Sequence, residues 1–255
     1  LHVVVGCPDA HHRDSLDQAA ACELGRAGRD RAAARLSWRA HLARPEMAVT
    51  TEVWHGDLGE RGVVASRDAG LVVVTGGRAA GDTVLSAVAG QVAAHAGCPT
   101  IVVPPGVGSP ADGPVVLGVC ALEGEDRATA FAFEEAALRG AALHAVHVWA
   151  GIPPAAYDCV YPFAYDLRSA CATADRLLAE ELAGWAEKYP EVRVERQSCY
   201  DVNPAQSLLR LSHAAGMVVI GARRPAVPSA MLLGTVARTL IAGAACPVAV
   251  VRLGG

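Results

Sequence analysis

The sequence predicts an α/β protein made of two copies of a doubly wound unit. Three observations carry this: short apolar runs alternate with helix-like segments, the runs are apolar throughout, and one pattern occurs twice. Continuous apolar strands need cover on both faces, which helices around a parallel sheet supply.

The repeat is read directly. Ala69-Gly70-Leu71-Val72-Val73-Val74 returns as Ala215-Gly216-Met217-Val218-Val219-Ile220. Gly97-Cys98-Pro99 before one apolar run returns as Ala245-Cys246-Pro247 before another, at nearly the same distance. Between the copies lies a Pro- and Gly-rich stretch from Pro104 to Pro114, a linker by composition. The expected domains are 1–105, degenerate and shortened, and 114–255.

In the second copy Val115–Val119 has strand length. A helix follows from about Asp126 to Arg139, with Phe131 and Leu138 inward, Glu135 and Arg139 paired outside, and Gly140 closing it. Leu143–Trp149 is the next strand, in which His147 reads as a packed core histidine. Ala174, Leu178, Leu182, Trp185 and Tyr189 recur at three and four residues and predict one long helix that stops at Pro190. Val192–Cys199 alternates like a strand, and Asn203-Pro204 gives a helix an N-cap and a proline at its first position. Met217–Ile220 and Val248–Val251 are buried strands flanking a helix that starts near Thr235.

The first copy aligns by pairing Cys7 and Trp38 with Cys120 and Trp149. On that alignment it is much shorter and has lost the long second helix, so one face of its sheet is expected to pack on the other copy.

Composition narrows the classes of function. At 255 residues, with 52% hydrophobic and 19% charged, the chain is globular rather than disordered. A net charge of -4 with no basic half argues against nucleic acid as a partner. The charge-free run Thr83–Ala111 is interrupted by Gly90, Gly97 and Pro99, and reads as helix, turn and buried strand rather than a membrane span. No signal-peptide pattern opens the sequence, and a cytoplasmic protein is expected. The 8 cysteines form no Cys-x-x-Cys pair and read as buried free thiols. His11 and His12 beside Asp9 and Asp14 read as solvated loop residues, and no metal is expected.

In a doubly wound sheet ligands sit beyond the carboxyl ends of the strands, where the strand order reverses. The segment after Ile220 carries Gly221, then Arg223 and Arg224, and ends in Gly234-Thr235-Val236 at a helix start, where free N–H groups favour an anion. Gly221, Gly234-Thr235-Val236 and Cys246-Pro247-Val248, with Asn203-Pro204-Ala205 and the run Leu143–Trp149, resemble the universal stress protein family in its tandem, two-domain form.

That resemblance implies two five-stranded parallel sheets of order 3-2-1-4-5, of the adenine-nucleotide alpha-hydrolase-like type, packed as an intrachain pseudo-dimer through their last strands. It also implies, for one subclass, bound ATP or ADP. By position, Val148 would lie at the adenine, Ile220 and Gly221 along the ribose and phosphate path, and Gly234, Thr235 and Val236 at the phosphates. Cys120 stands where the family usually has an acidic residue, and Arg224 where its signature has a second glycine. A thiol does not accept hydrogen bonds as a carboxylate does, while a guanidinium either fills space or clamps phosphate. In the first copy Ser86-Ala87 replaces Gly234-Thr235, and that copy is not expected to hold ATP.

No catalytic constellation is present in the sequence, and the protein is not expected to be an enzyme. The expected function is nucleotide binding or sensing in a stress or dormancy response through the second copy. The alternative is a scaffold or interaction module whose site has eroded. An unidentified protein partner and a homodimer complete the expectations.

Overall fold

A computed structural model describes residues 1–7, 17–76, 83–106, 110, 112–120, 126–149, 167–223 and 233–253. The elements run β1 (His2–Cys7), α1 (Asp17–Ala43), β2 (Thr50–His55), α2 (Leu58–Ala65), β3 (Val72–Thr75), α3 (Thr83–His95), β4 (Thr100–Val103) and β5 (Val115–Val119). They continue through α4 (Asp126–Arg139), β6 (Leu143–Trp149), α5 (Leu167–Glu181), α6 (Trp185–Lys188), β7 (Val194–Tyr200), α7 (Pro204–Leu211), β8 (Met217–Ala222), α8 (Thr235–Gly243) and β9 (Val248–Arg252). The fold is α/β with a mostly parallel sheet. Its compact units are Leu1–Gly62 and Val63–Gly255, which divide within α2.

The first unit holds α1 and a parallel pair of strands, β1 and β2, registered from His2↔Thr50 to Cys7↔His55. Glu52 on β2 accepts from Arg61 at 3.2 Å, and the Arg61 guanidinium lies 4.8 Å from the centre of the Trp54 ring.

The second unit is built on a seven-stranded sheet of order β3-β4-β9-β8-β5-β6-β7. Every neighbouring pair is parallel except β4 and β9, which run antiparallel with Thr100↔Val250, Ile101↔Ala249 and Val102↔Val248 in register. Strand β5 sits inside the sheet and all five of its residues are buried. Val115, Leu117 and Val119 meet α4 and α5 on one face, while Val116 meets α7 and α8 on the other. Burying a side chain such as Leu117 in this way stabilises the fold by about 1.5–3 kcal/mol. The sheet is therefore covered on both faces, as its unbroken apolar strands require.

Several expectations are corrected. Among the described residues the strands form a two-stranded and a seven-stranded sheet rather than two five-stranded ones, the second copy's five running in the order β7-β6-β5-β8-β9. The first copy keeps a long helix, α1, of 27 residues. The element order β1-α1-β2-α2-β3-α3-β4 matches β6-α5-β7-α7-β8-α8-β9, so the counterparts missing among the described residues are those of β5 and α4. Cys7 therefore ends the counterpart of β6 and does not correspond to Cys120, and Trp38 lies within α1. On β3, Val73 is 60% exposed.

On α4 the buried residues are Ala128, Thr129, Ala132, Phe133 and Ala136, a stripe that turns Leu138 outward to 82% exposure. The long helix breaks into α5 and α6 because Gly184 adopts φ 81, a left-handed conformation through which an α-helix does not continue. The linker is partly packed: a Cβ on Gly113 would lie 2.5 Å from the Gly216 nitrogen, and that N–H donates to Pro114 O at 2.9 Å.

Candidate functional site

At the carboxyl ends of β5, β6 and β8 a cavity of about 390 Å³ opens on the face covered by α7 and α8. Its size falls within the range of small-molecule sites, roughly 300–1,000 Å³. Seven of the eight residues selected from sequence line it: Cys120, Val148, Ile220, Gly221, Gly234, Thr235 and Val236. The eighth, Arg224, lies outside the described residues, as do His11 and His12.

The floor is apolar for a local reason. Gly118 interrupts the apolar run of β5, and a Cβ there would meet Leu208 Cδ1 at 3.0 Å and Ile220 Cγ2 at 3.3 Å. The glycine lets α7 approach the sheet, and Leu208 and Pro204 then form one wall. Helix α7 is started by Asn203, whose side chain accepts from Gln206 N at 3.2 Å, with Pro204 in the first turn. Asp201, just before it, accepts from Ser207 Oγ, from Asn203 N at 2.9 Å and from Arg210 at 3.0 Å. These donors, the Ser207 hydroxyl first, hold its carboxyl down at about 2.

The polar end is the start of α8. Its N-cap is Gly234, at φ -53 and ψ 158, with no side-chain cap. A Cβ on Gly234 would meet none of the described residues within 4 Å, so the space beside it is open among them. Thr235, Val236 and Ala237 line the cavity in the first turn, where helix N–H groups have no partner one turn back. Uncapped N–H groups and the positive end of the helix dipole fit a phosphate or carboxylate. Gly221 acts otherwise: a Cβ there would lie 2.7 Å from Leu253 Cδ2, so this glycine serves packing against the chain's own C-terminal segment.

Arg223, read from sequence in the same segment as Arg224, lines the cavity and is exposed. Leu208, Pro204 and Leu253 were not foreseen as lining residues. The glycine inside the apolar run Val115–Val119 was the available sign of a close approach. Cys120 is reduced and exposed at the end of β5, whereas Cys98 and Cys246 are buried thiols. Burial pushes the Cys246 thiol up to about 11. In the first copy Ser86 and Ala87 fall inside α3 rather than before it, so no helix start stands at the place of Gly234-Thr235.

Comparison with known proteins places this architecture. The universal stress protein family matches residues 113–252, more than half of the chain. The chain belongs to that family. A universal stress protein of Mycobacterium tuberculosis is 34% identical over 195 residues, 74% of this chain and 64% of the relative. A second from the same organism is 31% identical over 209 residues, 80% of this chain and 66% of the relative. The chain thus spans less than two thirds of the length of these relatives. Among solved structures, a universal stress protein from Archaeoglobus fulgidus has the same fold, with a TM-score of 0.64 at 17% identity, covering 99% of this chain and 86% of that one. Among the described residues, no helix is long and apolar enough to cross a membrane.

Proposed function

We propose that the second copy, residues 114–255, binds an adenine nucleotide, ATP or ADP, without turning it over, as a sensor in a stress or dormancy response. The observation that carries the reading is the uncapped start of α8 facing an open cavity beside Gly234. Thr235 and Val236 would donate backbone N–H groups to phosphate, and Arg223, with Arg224 after it, would add positive charge. The base would lie against Val148, with the ribose along Ile220 and Gly221. The described lining residues include no carboxylate to orient water or a metal ion, which favours binding over hydrolysis. The antiparallel seam of β4 and β9 supports reading the two copies as an intrachain pseudo-dimer, with 1–105 as a degenerate first domain.

Equilibrium dialysis with labelled ATP tests the proposal. Saturable retention is expected, and none at millimolar nucleotide overturns it. Arg224→Gly distinguishes the two roles of that arginine: tighter binding means it blocks the site, and weaker binding means it clamps phosphate.

One observation favours a second reading. Cys120 occupies the end of β5 and cannot accept ribose hydroxyls as a carboxylate would. On that reading the cavity is an eroded site in an interaction module. A purine released by acid from the freshly purified protein would count against it.

A further inference from the structure

A second cavity, of about 200 Å³, lies between α3 and α8. These two helices, one from each copy, touch each other over the antiparallel pair β4-β9. Both walls belong to the Val63–Gly255 unit.

Aligning Cys98 with Cys246 makes Gly90 the counterpart of Arg238 and Ala94 the counterpart of Ala242. All four line the cavity, so it straddles the seam between equivalent helix faces. The exchange of glycine for arginine decides its shape and charge. A Cβ on Gly90 would meet none of the described residues within 4 Å, so the α3 wall stands back there. Opposite it α8 presents Arg238, and one turn on Ile241 and Ala242 continue an apolar floor. The α3 wall is held from the sheet, because Arg252 at the end of β9 donates to the Ala94 carbonyl.

The chemistry is that of one charge on an apolar surface. Among the described residues the lining holds no carboxylate and Arg238 makes no ion pair. Gln91 adds a neutral amide. A dry cavity of about 150 Å³ holds one benzene ring, so this one has room for a ring or a short branched chain with a carboxylate at its end.

We propose that this cavity binds a small apolar carboxylate, of the size of benzoate, whose charge pairs with Arg238 and whose ring lies over Gly90, Ala94 and Ile241. Arginine meets a carboxylate with two parallel N–H donors, which fixes the orientation of the ligand. Such a ligand touches a helix from each copy and stabilises the seam, since it binds only when both helices are in place. It uses the side of α8 that carries Arg238 and Ile241, whereas Thr235, Val236 and Ala237 face the larger cavity. The inference does not rest on nucleotide binding.

The test titrates benzoate into the whole chain labelled at its alanine and isoleucine methyl groups. Saturable shifts are expected at Ala94, Ile241 and Ala242, with benzamide, alike in shape but neutral, weaker by about tenfold or more. Arg238→Gln, at an exposed position, should cost benzoate about the same factor and leave benzamide unchanged. Gly90→Leu fills the cavity from α3 and should abolish the shifts at an unchanged or higher thermal midpoint, because glycine is a poor helix residue. No saturable shift up to about 20 mM benzoate overturns the inference, since that is well past the roughly millimolar affinity of so small an open site. Benzamide binding as tightly as benzoate, or undiminished benzoate binding by the Arg238→Gln chain, overturns it too. So do shifts confined to Ile220 and Ala237, which would make the larger cavity the site.

Discussion

His147 Nδ1 lies 2.8 Å from the carbonyl oxygen of Val119, to which its N–H donates. The two residues are register partners at the carboxyl ends of β6 and β5, and His147 is 7% exposed. The imidazole therefore fixes the last residue of β5 before Cys120 turns into the cavity, as a packed core histidine with a defined partner.

His147→Leu keeps much of the volume but removes the side-chain donor to the Val119 carbonyl. A loss of about 1–3 kcal/mol in urea unfolding is expected, the penalty of a buried acceptor that has lost this donor.

Thr235→Glu separates stability from binding. A carboxylate in the first turn of α8 favours the helix by about 0.3–1 kcal/mol, because it meets the positive end of the dipole. The same charge repels phosphate. Thermal unfolding should show an unchanged or higher midpoint while ATP retention in dialysis falls at least about tenfold, as two close like charges predict.

Asp201 sets an acid limit. Its folded pKa of about 2 is below its ordinary value of 3.8. A carboxyl depressed on folding contributes stability that is complete above the unfolded pKa and is lost as pH falls through the folded one. The contribution should therefore disappear between about pH 4 and pH 2. Asp201→Asn should flatten that limb of a thermal midpoint series taken from pH 6 to pH 2.

Thiol accessibility should sort the cysteines. Cys120 and Cys171 are exposed, whereas Cys98 and Cys246 are buried, and burial raises the pKa of both buried thiols. Timed alkylation with mass mapping should modify Cys120 and Cys171 first and reach Cys246 only on unfolding. Early labelling of Cys246 would contradict the packing of β9 against β8.

Much of the second copy was legible because its signals are local. Asn203-Pro204 announces the start of α7, Gly140 the end of α4, and Leu143–Trp149 the strand β6. The candidate site was legible for the same reason: Gly221 and Gly234-Thr235-Val236 flank a strand end and a helix start, and such ends are where doubly wound sheets bind. Trp38 misled because a tryptophan was used as an alignment anchor with no pattern to support it. Leu138 misled because the face of α4 that lies inward is chosen by the sheet beneath it, and Phe133 won that place.

The sequence alone determined the class of fold and the residues gathered at the carboxyl ends of the strands, since each follows from patterns within about one element's length. Only the tertiary structure decided that β4 closes antiparallel on β9, and that Leu253 and Leu208 help shape the cavity. Those features depend on which strand edge finds which partner, and hydrogen bonding between segments far apart in the chain leaves no periodic trace in either segment.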